Sequence, residues 1–416
     1  MKPTGPIPPD FAGADGMLLI GGRKIDQLID EAGDTPLFVY DLGVVRSRIA
    51  RFRAAIPPAV ALHYAMKANP YPPLLSAIAG LVDGIDVASS GEAERALAAG
   101  VAADHISFAG PGKRDRELEA AIRAGVTINL ESEGEAGRAI AIGTRLDLRP
   151  RLAVRVNPDF ELRGSGMKMG GGAKPFGVDA DRAAALVREI LASGADYRGL
   201  HIFAGSQALD AGAIIDAQAS ALALATRIAC ESDVMPPLVN LGGGFGIPYF
   251  PGDTPLDVEA IGAALAKALA ALPDELKGSS FAIELGRWLV GEAGVYLTRI
   301  VDRKASHGEI FLVTDGGLHH QLAASGNFGT VVRRNYPVAV ANRFGAPAEE
   351  VATIVGCLCT PLDRLANEVA LPRAQVGDVI AVFLAGAYGA SASPQAFLGH
   401  PPPLEMLVDA PKTILS

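Results

Sequence analysis

A chain of 416 residues with 37 basic against 46 acidic side chains, a formal charge of −9, lacks the basic surface that a phosphate backbone requires. Nucleic acid is thereby excluded as a broad partner, while a local basic pocket for one anion is not. With 49% hydrophobic and 20% charged residues the chain is long enough for one large domain and a smaller one, and its three cysteines, Cys230, Cys357 and Cys359, are too few and too odd in number for a disulfide framework, which points to a reducing, cytoplasmic setting.

The first residues lack the basic-then-apolar order of a signal peptide, and their prolines read as an extended arm, with strands expected at 17–20 and 37–40. From 61 onward, short apolar runs of buried-strand character alternate with stretches of helical period. The expected strands are 61–66, 84–87, 105–109, 126–130, 151–156, 199–204, 238–241 and 281–284, and the helices include 91–99, 115–124, 133–142, 180–192, 211–232 and 258–272. Apolar runs such as 221–229 are short and broken by charge, below the roughly 20 residues of a membrane span, so no membrane is expected. Eight strand–helix repeats over about 250 residues predict a (β/α)8 barrel, an α/β fold whose functional groups sit at the C-terminal strand ends. Beyond 290 the texture turns to β-rich segments at 292–301, 309–315, 351–359 and 378–385. The expected organisation is an N-terminal arm at 1–40, a barrel at 41–290, and a C-terminal β-domain at 291–416, a sandwich or barrel completed by the arm.

The chemistry-bearing residues fall where barrel strands end. Lys67 closes the first strand; a lysine held in a barrel mouth is expected to be desolvated and to act as an amine nucleophile, although a solvated strand-end lysine is the plainer reading. Asp86 ends the second strand, where it would orient that ammonium; Glu92 reads equally well as a first-turn helix acid. The sixth strand ends in His201, Phe203 and Ser206, which offer an aromatic face and a hydroxyl. Gly242, Gly243 and Gly244 follow the seventh, leaving backbone N–H groups free to converge on an anion, at a spacing that fits no dinucleotide fingerprint. Glu284, Gly286 and Arg287 end the eighth, where a carboxylate suits a cationic ring nitrogen and an arginine suits an oxyanion. In the β-domain, Cys357 and Cys359 are separated by one residue with no second pair, so metal is not expected there, and Tyr388 stands between glycines.

These residues, in this order, resemble the fold type III pyridoxal-5′-phosphate (PLP) decarboxylases, the group of diaminopimelate and ornithine decarboxylases, over nearly the whole chain. The resemblance implies an alanine-racemase-like barrel, PLP as cofactor, and Lys67 as the Schiff-base lysine with Asp86 beside it. Phe203 would stack on the ring and Glu284 pair with its nitrogen. Ser206, Gly243, Gly244, Gly286 and Arg287 would surround the phosphate, with Tyr388 near the cofactor. Cys359 resembles the catalytic thiol and Asp363 the substrate-binding acid that the second subunit of a homodimer contributes to a shared active site.

The chain departs from the family pattern at three places. Phe203 replaces a stacking histidine, Thr360 replaces the glutamate that follows the thiol in diaminopimelate enzymes, and the substrate segment is remodelled into Asp315 to His320 and a stretch ending in Arg333, Arg334, Asn335, Tyr336 and Pro337. With residues 391–398, these variants are most similar to the pyridoxal-dependent decarboxylases of exosortase A gene clusters. The implied activity is decarboxylation of an amino acid or amino-acid derivative, free or carrier-protein-bound, other than meso-diaminopimelate, with Arg287, Arg333, Arg334 and Asp363 toward the substrate. Three alternatives stand beside it: diaminopimelate decarboxylase proper, a PLP racemase, and a non-enzymatic PLP-binding regulator.

Overall fold

The structure, a computed structural model, describes residues 1–326 and 334–409. It divides into two compact units, one formed by Ile49–Ile247 with Pro255–Gly286, the other by Met1–Arg48, Pro248–Thr254 and Arg287–Ser416. The division falls at Arg48 and Gly286, where the sequence suggests 40 and 290, and the β-rich unit also claims Pro248–Thr254. That short segment goes with it because Tyr249 packs its ring 4.9 Å from that of Tyr336.

In the first unit eight parallel strands close on themselves: Val60–Ala65, Gly84–Val87, Ile106–Phe108, Thr127–Leu130, Arg151–Asn157, Asp196–Ile202, Leu238–Asn240 and Ser280–Leu285. Thr127–Leu130 pairs with Arg151–Asn157 to complete the circuit, and Val178–Asp179 adds a short parallel strand outside it. Strands walled by helices on one side and by the barrel interior on the other are buried on both faces, which is why Gly84–Val87 is an unbroken buried run. Helix starts are fixed locally. Ser89 accepts a hydrogen bond from the Glu92 N–H (3.1 Å) and Glu92 accepts one from the Ala88 N–H (2.7 Å), a reciprocal cap that gives Glu92 the role of a helix-entry acid. Each Leu or Ile fully buried from these helices, such as Leu118 or Ile190, stabilises the unit by about 1.5–3 kcal/mol.

The helix Ala211–Ser232 is long and apolar enough, by length and composition, to cross a membrane. It is half buried, turning Ala213, Ile214, Leu222, Leu224 and Ile228 inward while Asp216, Arg227 and Glu231 stay outside, the pattern of a helix packed on a barrel.

The second unit is built around the long strand Gly294–Ser306, which pairs antiparallel with Glu309–Thr314, Val379–Val382 and Leu37–Asp41. The N-terminal arm thus contributes Leu37–Asp41 to this sheet, and Leu404–Val408 lies parallel on its other edge. Met17–Ile20 instead forms a separate three-stranded sheet with Ala12–Ala14 and Arg23–Lys24.

Candidate active site

In the barrel unit, Lys67 sits on the 3-10 turn Met66–Ala68 just past the first strand, its Nζ 5.6 Å from the centre of the Phe203 ring. Its side chain is exposed, so the desolvation expected from the sequence is not supplied by the protein around it. Asp86, expected to hold the lysine, faces another group: His63 Nδ1 lies 3.5 Å from its carboxylate. Burial opposes the charge on His63, but Asp86 and Glu284 outweigh it and hold the imidazole above its ordinary value. Gly84 makes room for that ring, since any side chain there would press on it.

Glu284, on the last strand, is buried and receives two side-chain donors on Oε2, His201 Nε2 at 2.7 Å and Asn240 Nδ2 at 3.3 Å. Oε1 takes neither. Burial raises the pKa of Glu284, yet the charges and hydrogen bond of His201, with Lys67 and Arg155 adding, bring it down to about 2. That contact makes His201 a positioning residue for Glu284.

The glycine turn lies between these elements. Gly242 and Gly244 adopt left-handed backbone, and a side chain at Gly243 would run into the carbonyl of Glu284. The Gly242 N–H is held by Asn240 Oδ1 (2.9 Å), and the Gly244 carbonyl by the Ala208 N–H (2.9 Å). The N–H groups of Gly243 and Gly244 donate to no acceptor among the described residues, the condition for an anion cradle. Ser206 is half-buried on the strand Gly205–Ser206, and Gly286 lets the last strand lie against Ala65 and Ala68, flanking the Lys67 turn.

Sequence reasoning missed a buried ionic network that joins the strand Arg151–Asn157 to the loops and helix following its neighbours. Arg155 donates to Glu131 (2.7 Å), which also accepts from the Gly110 and Gly177 N–H groups; Lys113 reaches Glu135 (2.7 Å) and two carbonyls. An arginine in the apolar run Arg151–Asn157 is the signal that would have found it, because arginine is seldom fully buried unless paired.

In the second unit, Arg287 donates to the Tyr249 hydroxyl (2.7 Å) and lies 4.8 Å from the centre of the Tyr388 ring. Tyr388 has a positive φ of 56°, uncommon for an aromatic residue. Arg334 lays its guanidinium on Phe250, 3.7 Å from the ring centre, and is exposed; Arg333 lies outside the described residues. Cys359 is an exposed thiol. Asp363 is buried, and its two oxygens accept from the Leu318 N–H (2.7 Å) and the Leu358 N–H (2.8 Å), so it braces two loops of its own unit. Burial and the Asp363 charge push the Cys357 thiol up to about 11.

Residues 42–291 match the pyridoxal-binding domain of the pyridoxal-dependent decarboxylases. The chain is 36% identical over 380 residues to the L-glutamyl-[BtrI acyl-carrier protein] decarboxylase of Niallia circulans, covering 90% of this chain and 89% of that one. It is 32% identical over 405 residues to a diaminopimelate decarboxylase of Archaeoglobus fulgidus, covering 96% and 93%. Among solved structures, the diaminopimelate decarboxylase of Helicobacter pylori in complex with L-lysine superposes with a TM-score of 0.81 at 25% identity, covering 93% of this chain and 94% of that one.

Proposed function

From the premise that this chain belongs to the pyridoxal-dependent decarboxylases, we propose that it removes CO2 from an amino acid whose far end is joined to a carrier protein. Its chemistry class is that of a PLP-dependent carboxy-lyase. The observation that carries the reading is the mouth of the barrel, which brings together an amine, an aromatic face and a buried anionic carboxylate.

Those residues fit PLP. Lys67 supplies the amine that would hold the aldehyde carbon, Phe203 a face for the ring, and the unspent N–H groups of Gly243 and Gly244 a cradle for the phosphate. The charge and hydrogen bond of His201 favour the anionic form of Glu284, whose Oε1 would accept from a ring N–H while His201 and Asn240 fix its orientation. When bound, PLP supplies the electron sink for the pair left behind as the carboxyl group departs. We further propose Cys359 as the proton donor to the resulting carbon, delivered from the second subunit of a homodimer, with Arg287, Arg334 and Asp363 serving the substrate side. A reducing, cytoplasmic setting suits the three free cysteines.

The carrier-bound substrate is favoured over meso-diaminopimelate by Thr360. A free amino-acid head at the distal end brings charges that must be paired, at a cost of several kcal/mol if they are not, and threonine provides no charge. The similarity to a carrier-protein decarboxylase supports the same choice. The test is CO2 release from a glutamyl group on a carrier protein against release from meso-diaminopimelate. The tethered substrate should be turned over and the free one should not; efficient turnover of meso-diaminopimelate overturns the substrate reading. Cofactor attachment is checked separately: after borohydride reduction and denaturation the wild-type chain should retain the cofactor covalently and Lys67→Ala should not, and covalent retention in that variant would remove Lys67 from its role.

A further inference from the structure

Within the second unit, three side chains from separate loops converge: His319, Cys357 and His400, whose ligand atoms all lie within 4.8 Å of one another. The strands Glu309–Thr314 and Glu350–Val355 are parallel neighbours, so the loops that follow them, bearing His319 and Cys357, leave the sheet at the same end. His400 precedes the last strand, Leu404–Val408, and its two ring nitrogens are 3.8 and 3.9 Å from the Cys357 sulfur.

The two adjacent histidines are treated differently by their surroundings. His320 has both nitrogens occupied, Nδ1 against the Tyr296 hydroxyl (3.1 Å) and Nε2 against the Pro401 carbonyl (3.0 Å). His319 is fully buried, and neither of its nitrogens has a partner among the described residues. A buried imidazole left without partners carries the desolvation cost of both nitrogens uncompensated, and a group able to engage it removes that cost.

We propose that His319, Cys357 and His400 bind one divalent transition-metal ion of zinc's class, leaving a fourth position for water. Two imidazoles and a thiolate are the donor set of a borderline-soft ion in tetrahedral geometry, and among the described residues no carboxylate joins the cluster, which disfavours magnesium or calcium. Tetrahedral zinc sites place such donors roughly 3.3–3.8 Å apart, so the Cys357–His400 spacing is already near closure. Asp363 supplies the support beneath the ligands: it holds the N–H groups of Leu318 and Leu358, each adjacent to a ligand residue, and Gly317 and Gly356 leave the room its carboxylate occupies. No second cysteine pair marks this site in the sequence, because the other two donors are histidines 38 and 43 residues distant from Cys357.

The experiment is titration of the chelator-treated full-length protein with Co2+, followed by Zn2+. One equivalent of Co2+ per chain should produce a thiolate-to-cobalt charge-transfer band that one equivalent of Zn2+ abolishes. Cys357→Ser should lose the band, and His400→Ala should weaken binding at least about tenfold, each with an unchanged circular-dichroism spectrum. Asp363→Asn, which disturbs the bracing of both ligand-bearing loops, should weaken binding by about 10–100-fold. No charge-transfer band in the wild type, or Co2+ binding that survives both Cys357→Ser and His400→Ala, overturns the site and leaves an adventitious ion only. These readouts do not depend on PLP or turnover.

Discussion

Glu284 is the residue on which most of the proposed chemistry rests, and its environment makes its role separable from cofactor binding. The carboxylate is buried, and the His201 hydrogen bond and charge hold it at about 2 against the opposing cost of burial. Replacing it with glutamine keeps the shape but removes the negative charge. Glu284→Gln should therefore lower kcat by about 10²–10³ while leaving PLP affinity within a few-fold, because the charge matters most as electrons flow into the ring. Equal and small losses in both would reduce Glu284 to a structural acid. The same substitution has a pH signature. A folded-state value below the ordinary 4.5 means that the unfolded chain binds the extra proton first, so the Glu284 contribution to stability is present above about 4.5 and lost as pH falls toward about 2. Acid-denaturation curves of the glutamine variant should be flatter across that window, and curves parallel to wild type would sink the linkage.

At the scale of elements, the glycine turn after Leu238–Asn240 is where backbone geometry and ligand chemistry meet. A methyl group at Gly243 would collide with the Glu284 carbonyl on the next strand, which is backbone and cannot rotate away. Gly243→Ala should thus push the turn out of place and weaken PLP binding at least about tenfold, with loss of thermal stability in the range of 1–3 kcal/mol. Fluorescence titration with PLP and a melting curve check both, and wild-type affinity in a folded variant would show that this turn holds no phosphate. The turn was legible in the sequence because three consecutive glycines end an apolar run. The barrel was legible for a related reason, since strands buried on both faces read as continuous apolar segments. The β-rich unit was less so. Arg364–Leu371 carries Arg364, Asn367 and Glu368 and does not read as a strand, and the expected strand at 351–359 stops at Val355 because the loop beyond it wraps around Asp363. Pairings between distant residues, His201 with Glu284 or His319 with His400, leave no local trace, since each residue alone is compatible with an ordinary core or surface role.

At the scale of the whole molecule, the residues assigned to the chemistry are divided between two compact units, Lys67 and Glu284 in one and Cys359 in the other. The proposed homodimer with shared sites makes a prediction that a self-sufficient monomer cannot meet. If an active site takes Lys67 from one subunit and Cys359 from its partner, Lys67→Ala and Cys359→Ala homodimers are each inactive or nearly so. Mixing them under conditions of subunit exchange produces mixed dimers, about half of the population when association is random. In each mixed dimer one site carries both substitutions and the other carries neither. Activity of the mixture should then recover to roughly a quarter of wild type, because about half of the dimers have one of their two sites intact. Sites built within single chains would give no recovery, since every chain in the mixture bears one substitution. A mixture as inactive as its parents, with exchange verified by a tag on one of them, would therefore overturn the shared site, and sedimentation of the wild-type chain as a monomer would overturn the dimer itself.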